Sequence, residues 1–165
     1  MRIAIVTISQ AGSKIASLIT SQTSGACISR NEVKSEWKHF DAFIFIGSIG
    51  ICVRTISGLP EDKHIDPAVV CIDSTGKFVV PVLSGHIGGA NELARKIAGK
   101  IHAQAIITTA TDVNNLLSVD EWAVKNDCVI ENPAAIKHVS AKILDDNSVG
   151  VAVTCENIPV PFPVT

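Results

Sequence analysis

The chain has 165 residues, of which 47% are hydrophobic and 18% are charged, and its formal net charge is -2. So apolar a composition predicts a packed globular core and excludes disorder over most of the length. There is no long basic run, no Tyr, and an aromatic content of only 4%. These features exclude a nonspecific nucleic-acid partner, which needs a basic face or stacking aromatic rings.

The cysteines are odd in number and widely spaced, and they form no C-x-x-C pair: Cys27, Cys52, Cys71, Cys128 and Cys155. This pattern favours neither a disulfide framework nor a zinc site, so a reducing cytoplasm is expected. No apolar run approaches the roughly 20 residues that a membrane span requires. A membrane partner is therefore not expected.

The first third of the chain alternates apolar strands with helical periodicity. Two buried strands are predicted over Arg2–Ile8 and Ala42–Ile46, with a short strand near Cys27-Ile28 between them. Apolar residues at helical spacing predict three helices, one after each of these strands. Their apolar residues are Ile15, Leu18 and Ile19 in the first, Val33, Trp37 and Phe40 in the second, and Ile51, Val53 and Ile56 in the third.

A polar loop over Leu59–Lys63 precedes the next predicted strand, Ala68–Ile72, and the turn Asp73–Gly76 leads into Lys77–Val82 as a hairpin arm. A helix follows over Ala90–Lys100, with Leu93, Ile97 and Ile101 on its buried face, and then a strand over Ala105–Thr108. Ser118-Val119-Asp120-Glu121 has the form of a capping box before another helix.

Strands and helices that alternate on short connections predict a three-layer α/β sandwich with a mostly parallel sheet, covering residues 1–130. Pro133 is placed at the first turn of a helix over 134–144, followed by a strand over Val149–Thr154 and the Pro-rich stretch Pro159–Pro163. Residues 131–165 are accordingly expected to open a second α/β unit or to pack back on the first as a tail.

Three loops follow predicted strands and are rich in glycine or threonine: Gly47–Gly50, Ser84–Gly89 and Thr108–Asp112. Open α/β sheets bind ligands at the carboxyl ends of their strands, and a helix N-terminus attracts anions. We therefore expect the three loops to meet at one end of the sheet in a pocket for a carboxylate or phosphate. The alternative is that the glycines only make turns.

Several polar residues of these loops have both a functional and a purely structural interpretation. His86 is either a catalyst or a hydrogen-bonding loop residue, and Arg54 either binds a ligand carboxylate or lies on a solvated helix edge. Glu92 and Lys96 are spaced to form a surface ion pair, and Asp112 to act as an N-cap or turn residue. The dinucleotide, P-loop, zinc-protease and serine-elbow motifs are all absent from the sequence.

Four motifs in order resemble those of one known family, CbiG, the cobalt-precorrin-5A hydrolase family of anaerobic cobalamin biosynthesis. Gly47–Arg54 is similar to its G-x-x-G-I-x-V-R element, and Asp66–Val70 to its D-P-A-V-V strand. Pro81–Ala94 resembles its P-L-L-S-G-H-L-G-G-A-N-x-L-A signature, and Ile107–Asp112 its I-T-T-A-T-D.

The resemblance implies hydrolysis of the δ-lactone of a cobalt-containing tetrapyrrole, with release of acetaldehyde to give cobalt-precorrin-5B. The substrate carries the cobalt, so the resemblance implies no cofactor and no protein-bound metal. It also implies a modular protein, in which this chain holds the N-terminal domain and the start of the middle region. A C-terminal CbiG domain or neighbouring pathway enzymes are then expected partners. The alternative is a noncatalytic tetrapyrrole- or nucleotide-binding module.

Lactone attack needs a base for water and donors for the oxyanion. We assign the base to His86 and the oxyanion donors to the N–H groups of Gly88 and Gly89. Glu92 or Asp112 is expected to orient the histidine or to take part in proton transfer. The remaining members of the motifs are expected to bind substrate, with Arg95 as a further candidate: Gly47, Ser48, Gly50, Arg54, Ser84, Gly85, Gly88, Gly89, Asn91, Thr109 and Thr111.

Overall fold

The computed structural model describes residues 1–62, 65–114, 116, 118–145, 149, 150, 152 and 154. The chain forms two compact units, Met1–Ile107 and Thr108–Thr165. The boundary expected near residue 130 stays a prediction, because compactness alone does not show where a folding domain ends.

The first unit alternates strands and helices as the apolar pattern predicts. The strands β3, Ala42–Ile46, and β4, Ala68–Ile72, are buried along their whole length, and their bounds are those expected from the sequence. The ten elements are β1 Ile3–Thr7, α1 Ser13–Thr23, β2 Ala26–Ile28, α2 Val33–Glu36, β3 Ala42–Ile46, α3 Ile49–Ile56, β4 Ala68–Ile72, β5 Phe78–Leu83, α4 Ala90–Ile101 and β6 Gln104–Ala105.

One six-stranded sheet has the order β2-β1-β3-β4-β5-β6. The strands β2, β1, β3 and β4 run parallel, and Ile44 of β3 lies between Ile5 of β1 and Val70 of β4. The strand β5 runs antiparallel to β4, and β6 runs parallel to β5. The expected mostly parallel α/β sheet is confirmed, but the last two strands on one side, β5 and β6, run in the opposite direction.

Successive residues of each strand point to opposite faces of the sheet, and each face carries one hydrophobic core. Ile5 and Ile44 face α1 and α4. Phe43 and Phe45 face α2 and α3, and Trp37 of α2 stacks on Phe43 with ring centroids 5.1 Å apart. Helices on both faces confirm the three layers.

The buried face of α3 contains only part of its apolar run. Cys52 and Ile56 are buried, four residues apart on one stripe of the helix, whereas Val53 is 49% exposed. One residue along a helix is a rotation of about 100°, so Val53 cannot share the stripe of Cys52 and Ile56. Val53 therefore lies on the solvent side of α3, although it belongs to the apolar run that predicted this helix.

The last strand is shorter than the expected Ala105–Thr108. Pairing between β5 and β6 stops after Val79 and Ala105, and Ile106 N–H donates once more to the Val79 carbonyl at 2.9 Å. Pro81 of β5 has no N–H to extend the ladder. On the other side of β5, the register with β4 shifts between Val69 and Val70, opposite Leu83 and Pro81. An irregular stretch of strand thus leads into the loop that follows β5.

The second unit holds the helices α5 Ala110–Val113, α6 Val119–Lys125 and α7 Pro133–Leu144. The Ser118 hydroxyl accepts the Glu121 N–H at the start of α6, and Pro133 occupies the first turn of α7, both as expected. The strand expected over 149–154 falls partly outside the described residues, and the Pro-rich stretch 159–163 lies wholly outside them. Within the described part of the chain, no helix is long and apolar enough to cross a membrane.

Candidate active site

The loops that follow β3 and β5 leave the sheet at opposite ends. The Gly47 N–H donates to the Ile72 carbonyl at 2.8 Å, which places Gly47 at the carboxyl ends of β3 and β4. Leu83, at the carboxyl end of β5, pairs with Val69 near the amino end of β4. The expectation of one pocket shared by Gly47 and Gly85 is therefore wrong. Its physical cause is the β4–β5 hairpin, which reverses the chain before the second loop begins.

The third loop belongs to the second unit and has a local structure of its own. Thr109 precedes α5, and its hydroxyl donates to the carboxylate of Asp112. Thr111 is buried. These contacts are those of a turn at a helix start, which was the structural interpretation of Asp112. A common site for Thr109, Thr111 and Asp112 with His86 stays a prediction.

The loop Ser84–Gly89 is too tightly packed to accept side chains at two of its glycines. A Cβ on Gly88 would lie 2.4 Å from the Ser84 Cβ and 2.9 Å from the Ser84 carbonyl oxygen. A Cβ on Gly85 would lie 2.9 Å from Oδ1 of Asn91. The residues at the two ends of the loop have a left-handed backbone conformation, with φ of 56° at Ser84 and 80° at Gly89. Glycine at 85 and 88 therefore serves close backbone packing, and Gly89 serves its conformation.

Backbone hydrogen bonds close this loop onto the start of α4. The Ser84 carbonyl accepts the N–H of Ala90, and the Gly85 carbonyl accepts the N–H of Asn91, each at 3.0 Å. The Gly89 N–H donates to the His86 carbonyl at 2.9 Å. Three donors of the helix start are thus already satisfied, so α4 is a poorer anion receptor than its glycines suggested. Of the two expected oxyanion donors, Gly89 is engaged within the loop.

Glu92, one candidate partner of His86, carries a salt bridge along the helix. Its Oε1 lies 2.6 Å from the Lys96 Nζ, and both side chains are more than half exposed. The two residues are four apart, as the surface-pair interpretation required. This contact directs the Glu92 carboxylate along α4 and weakens its assignment as the group that orients His86.

A cavity of about 450 Å³ opens at the amino ends of β3 and β4, and Gly88 borders it. Its other lining residues are Trp37, Lys38, Phe40, Asp41, Glu61, Ile65, Asp66 and Pro67. Two members of the lining pair with each other, since Lys38 Nζ lies 3.0 Å from Glu61 Oε1. Among the described lining residues, three carboxylates and one ammonium make the cavity unfavourable for a carboxylate ligand at its acidic wall.

Two carboxylates of the cavity, those of Asp66 and Asp41, accept backbone N–H groups. Asp66 is buried, and both of its oxygens accept the Glu61 N–H at 3.0 Å. Asp41 accepts the Arg2 N–H at 2.6 Å, and this bond, with a second from the Arg2 side chain, lowers the pKa of Asp41 below its usual value. Sequence reasoning did not include Asp66 in the site. Its signal was an Asp-Pro pair directly before a wholly apolar strand.

The first turn of α3 brings three expected substrate-binding residues together, at the other end of the sheet. The Ser48 hydroxyl does not cap the helix. A Cβ on Gly50 would lie 3.6 Å from Nη2 of Arg54 and 3.8 Å from the Ser48 Oγ. A hydroxyl, an exposed guanidinium and a helix start therefore surround one point, an arrangement suited to a carboxylate.

A sequence model of one family, described as cobalamin synthesis G N-terminal, matches residues 31–112. That range includes the α3 start, the acidic cavity and the loop Ser84–Gly89. The chain belongs to the CbiG family.

Two curated relatives bear the name cobalt-precorrin-5A hydrolase. The chain is 42% identical over 122 residues to the cobalt-precorrin-5A hydrolase of Salmonella typhimurium, covering 73% of this chain and 35% of the relative. It is 41% identical over 117 residues to that of Priestia megaterium, covering 71% and 31%. The chain thus spans about a third of the length of these curated CbiG relatives.

A crystal structure of a cobalamin biosynthesis protein G homologue from Sulfolobus solfataricus has a similar fold. The TM-score is 0.60 at 29% sequence identity, over 96% of this chain and 51% of that one. The likeness extends over both compact units and confirms an α/β fold of the CbiG type.

Proposed function

We propose that this chain contributes the substrate-opening site of a cobalt-precorrin-5A hydrolase, centred on the loop Ser84–Gly89. The observation that supports it is a loop whose packing excludes side chains at Gly85 and Gly88 and which carries a histidine between them. Relatives at 41% and 42% identity bear this enzymatic name. A noncatalytic tetrapyrrole- or nucleotide-binding role is the less favoured alternative.

The proposed substrate is a cobalt-containing tetrapyrrole with acetate and propionate side chains. Its cobalt arrives with it, so we assign no metal-binding role to this chain. The reaction opens a δ-lactone with one water molecule, which frees a hydroxyl group. The carbon that bears this hydroxyl then leaves as acetaldehyde, as its bond to the macrocycle breaks, the electron pair of that bond stays on the macrocycle and the hydroxyl proton is released, giving cobalt-precorrin-5B. The protein has to activate the water, stabilise an oxyanion and return a proton to the ring oxygen.

His86 carries the proton in this proposal. Its imidazole takes a proton from water as the oxygen attacks the lactone carbonyl carbon. The resulting tetrahedral oxyanion accepts a hydrogen bond from the Gly88 N–H, because the Gly89 N–H already donates to the His86 carbonyl. The carbon–oxygen bond of the ring then breaks, and the imidazolium returns its proton to the departing oxygen. Water and lactone thus give a carboxylic acid and a hydroxyl, with the enzyme unchanged.

The position of this site sets limits on the other expected residues. Gly47, Ser48, Gly50 and Arg54 lie at the opposite end of the sheet, so they are not assigned to the pocket of His86. Asp112, Thr109 and Thr111 remain candidate contributors from the second unit.

The remaining portion of a full-length hydrolase and neighbouring pathway enzymes are the proposed partners, and a reducing cytoplasm is the proposed compartment. The described cysteines support this compartment, because Cys27, Cys52, Cys71 and Cys128 are free thiols.

His86→Ala in the full-length protein tests the proposal. We expect acetaldehyde release from cobalt-precorrin-5A, followed by mass spectrometry, to fall by about 10²–10⁴-fold, because a general base is lost. His39→Ala is the matched control, since His39 is a surface histidine whose Nδ1 only pairs with Glu36 at 3.2 Å. The melting temperature is measured on the same samples. Normal turnover by a folded His86→Ala protein removes His86 from the mechanism.

A further inference from the structure

Asn91 is a buried polar residue at the second position of α4, and it lies against the proposed catalytic loop. Only 3% of its surface is exposed. Its N–H donates to the Gly85 carbonyl at 3.0 Å. A Cβ on Gly85 would lie 2.9 Å from the Asn91 Oδ1 and 3.2 Å from its Nδ2. The amide therefore packs directly against the backbone of Gly85, where a bulky macrocyclic substrate has no access.

We propose that Asn91 is a positioning residue, which sets the conformation of the Ser84–Gly89 loop and so aims His86, and that it does not touch the substrate. This inference rests on the proposed function of the loop. It replaces the expectation from sequence that Asn91 binds substrate.

The geometry around Gly85 explains why one buried amide has this effect. Gly85 directly precedes His86, so a rotation of its backbone swings the imidazole. Asn91 contacts Gly85 through both its backbone N–H and its side chain, which fixes Gly85 against a rigid helix. The neighbouring bond from Ala90 N–H to the Ser84 carbonyl holds only the preceding residue. A displacement of about 1 Å at a reacting group costs on the order of a hundredfold in rate.

Asn91→Ala in the full-length protein should lower kcat for acetaldehyde release by about tenfold to a hundredfold, with the substrate Kd changed by less than about threefold. If Asn91 only positions His86, its substitution should not lower turnover further once the imidazole of His86 has been removed. The double variant His86→Ala with Asn91→Ala should therefore be no slower than His86→Ala alone. A raised Kd with little change in kcat, or losses that multiply in the double variant, would show substrate contact and overturn the proposal.

A second readout does not depend on catalysis. Hydrogen exchange at the Ala90 and Asn91 amides, which donate to the loop, should accelerate in Asn91→Ala while exchange at Ile97 in the middle of α4 stays unchanged. If His86→Ala leaves turnover intact, the proposed function of His86 fails, yet this local change still tests the positioning role. Equal exchange at all three amides relative to the parent protein overturns the proposal.

Gly85→Ala provides a second test of the proposal in case Asn91→Ala does not fold. The added methyl group collides with the intact Asn91 amide at 2.9 Å, so it should displace the loop and give the same fall in kcat at similar Kd. Gly99→Ala is the control within α4, because no atom lies within 4 Å of the added methyl group. Parent-like kcat in folded Gly85→Ala would refute the positioning role.

Discussion

Gly88 is the position where the smallest substitution should cost most. An alanine methyl group there would lie 2.4 Å from the Ser84 Cβ and 2.9 Å from the Ser84 carbonyl oxygen. Carbon atoms in contact sit about 3.5–4.0 Å apart, so the two segments of the loop must separate by roughly 1 Å. Gly88 is not among the residues with positive φ, so alanine fits its backbone and the cost is steric.

The expected cost of Gly88→Ala is about 1–3 kcal/mol in the free energy of unfolding, as for overpacked sites in cores. A shift of the same size at His86 should lower turnover by about a hundredfold. Urea unfolding and acetaldehyde release from cobalt-precorrin-5A measure the two quantities. Gly99→Ala is the matched control, since its methyl group meets no atom within 4 Å and should stabilise α4 by up to about 1 kcal/mol.

A second substitution should relieve the clash. Ser84 has φ of 56°, which glycine adopts at little cost, and Ser84→Gly removes the carbon atom at 2.4 Å. The Ser84 hydroxyl is buried without a hydrogen-bond partner among the described residues, so its loss carries little penalty. The double variant Ser84→Gly with Gly88→Ala should recover at least half of the lost stability. The packing argument is refuted if Gly88→Ala unfolds at the parent's urea midpoint, or if the double variant is no more stable than Gly88→Ala.

Two further predictions concern the stability of the first unit. Asp73→Ala should cost about 1–2 kcal/mol by urea unfolding, because the carboxylate accepts the N–H groups of Thr75 at 2.8 Å and Phe78 at 2.6 Å; an unchanged midpoint would contradict this. Burial opposes ionisation of Asp73, yet the hydrogen bond from the Thr75 hydroxyl and those from the N–H groups prevail and lower its pKa, so the stability is present above about pH 4 and is lost as the pH falls. A hydrogen bond with Cys71, followed by burial, raises the pKa of Cys52, and the same bond lowers the pKa of Cys71. The stability from its protonated thiol should persist below about pH 8.5 and decline as the pH rises, and Cys52→Ala should flatten that decline in melting scans if this linkage holds.

The sequence predicted individual elements better than their directions. The bounds of β3 and β4 followed from uninterrupted apolar runs, because strands covered on both faces leave no polar position. The turn Asp73–Gly76 was also recognised as a hairpin. Its consequence was missed, since a hairpin reverses the chain and sends the next loop to the opposite end of the sheet. Strand propensity is the same in either direction, so only the connection carries that information.

The candidate site was predictable in its residue types and not in its packing. Glycines between a strand and a helix indicated a tight loop, which the contacts at Gly85 and Gly88 show. The left-handed Ser84 had no local signal, because serine rarely adopts positive φ without a constraint from the rest of the fold. The burial of Asn91 was hidden for the same reason, since it depends on the loop that folds back over α4.

The direction of β5 divides the CbiG-like motifs into two groups with different chemistry. Gly88 and Asp66 border the same cavity, so the glycine-rich signature and the Asp-Pro strand meet at the amino ends of β3 and β4. The α3 start, with Ser48 and Arg54, lies at the carboxyl ends and offers a hydroxyl and a guanidinium. If the reaction takes place beside Gly88 as proposed, the acidic wall of the cavity would repel the carboxylates of the substrate. The macrocycle would then have to approach His86 with its lactone edge, and this repulsion would help to orient it.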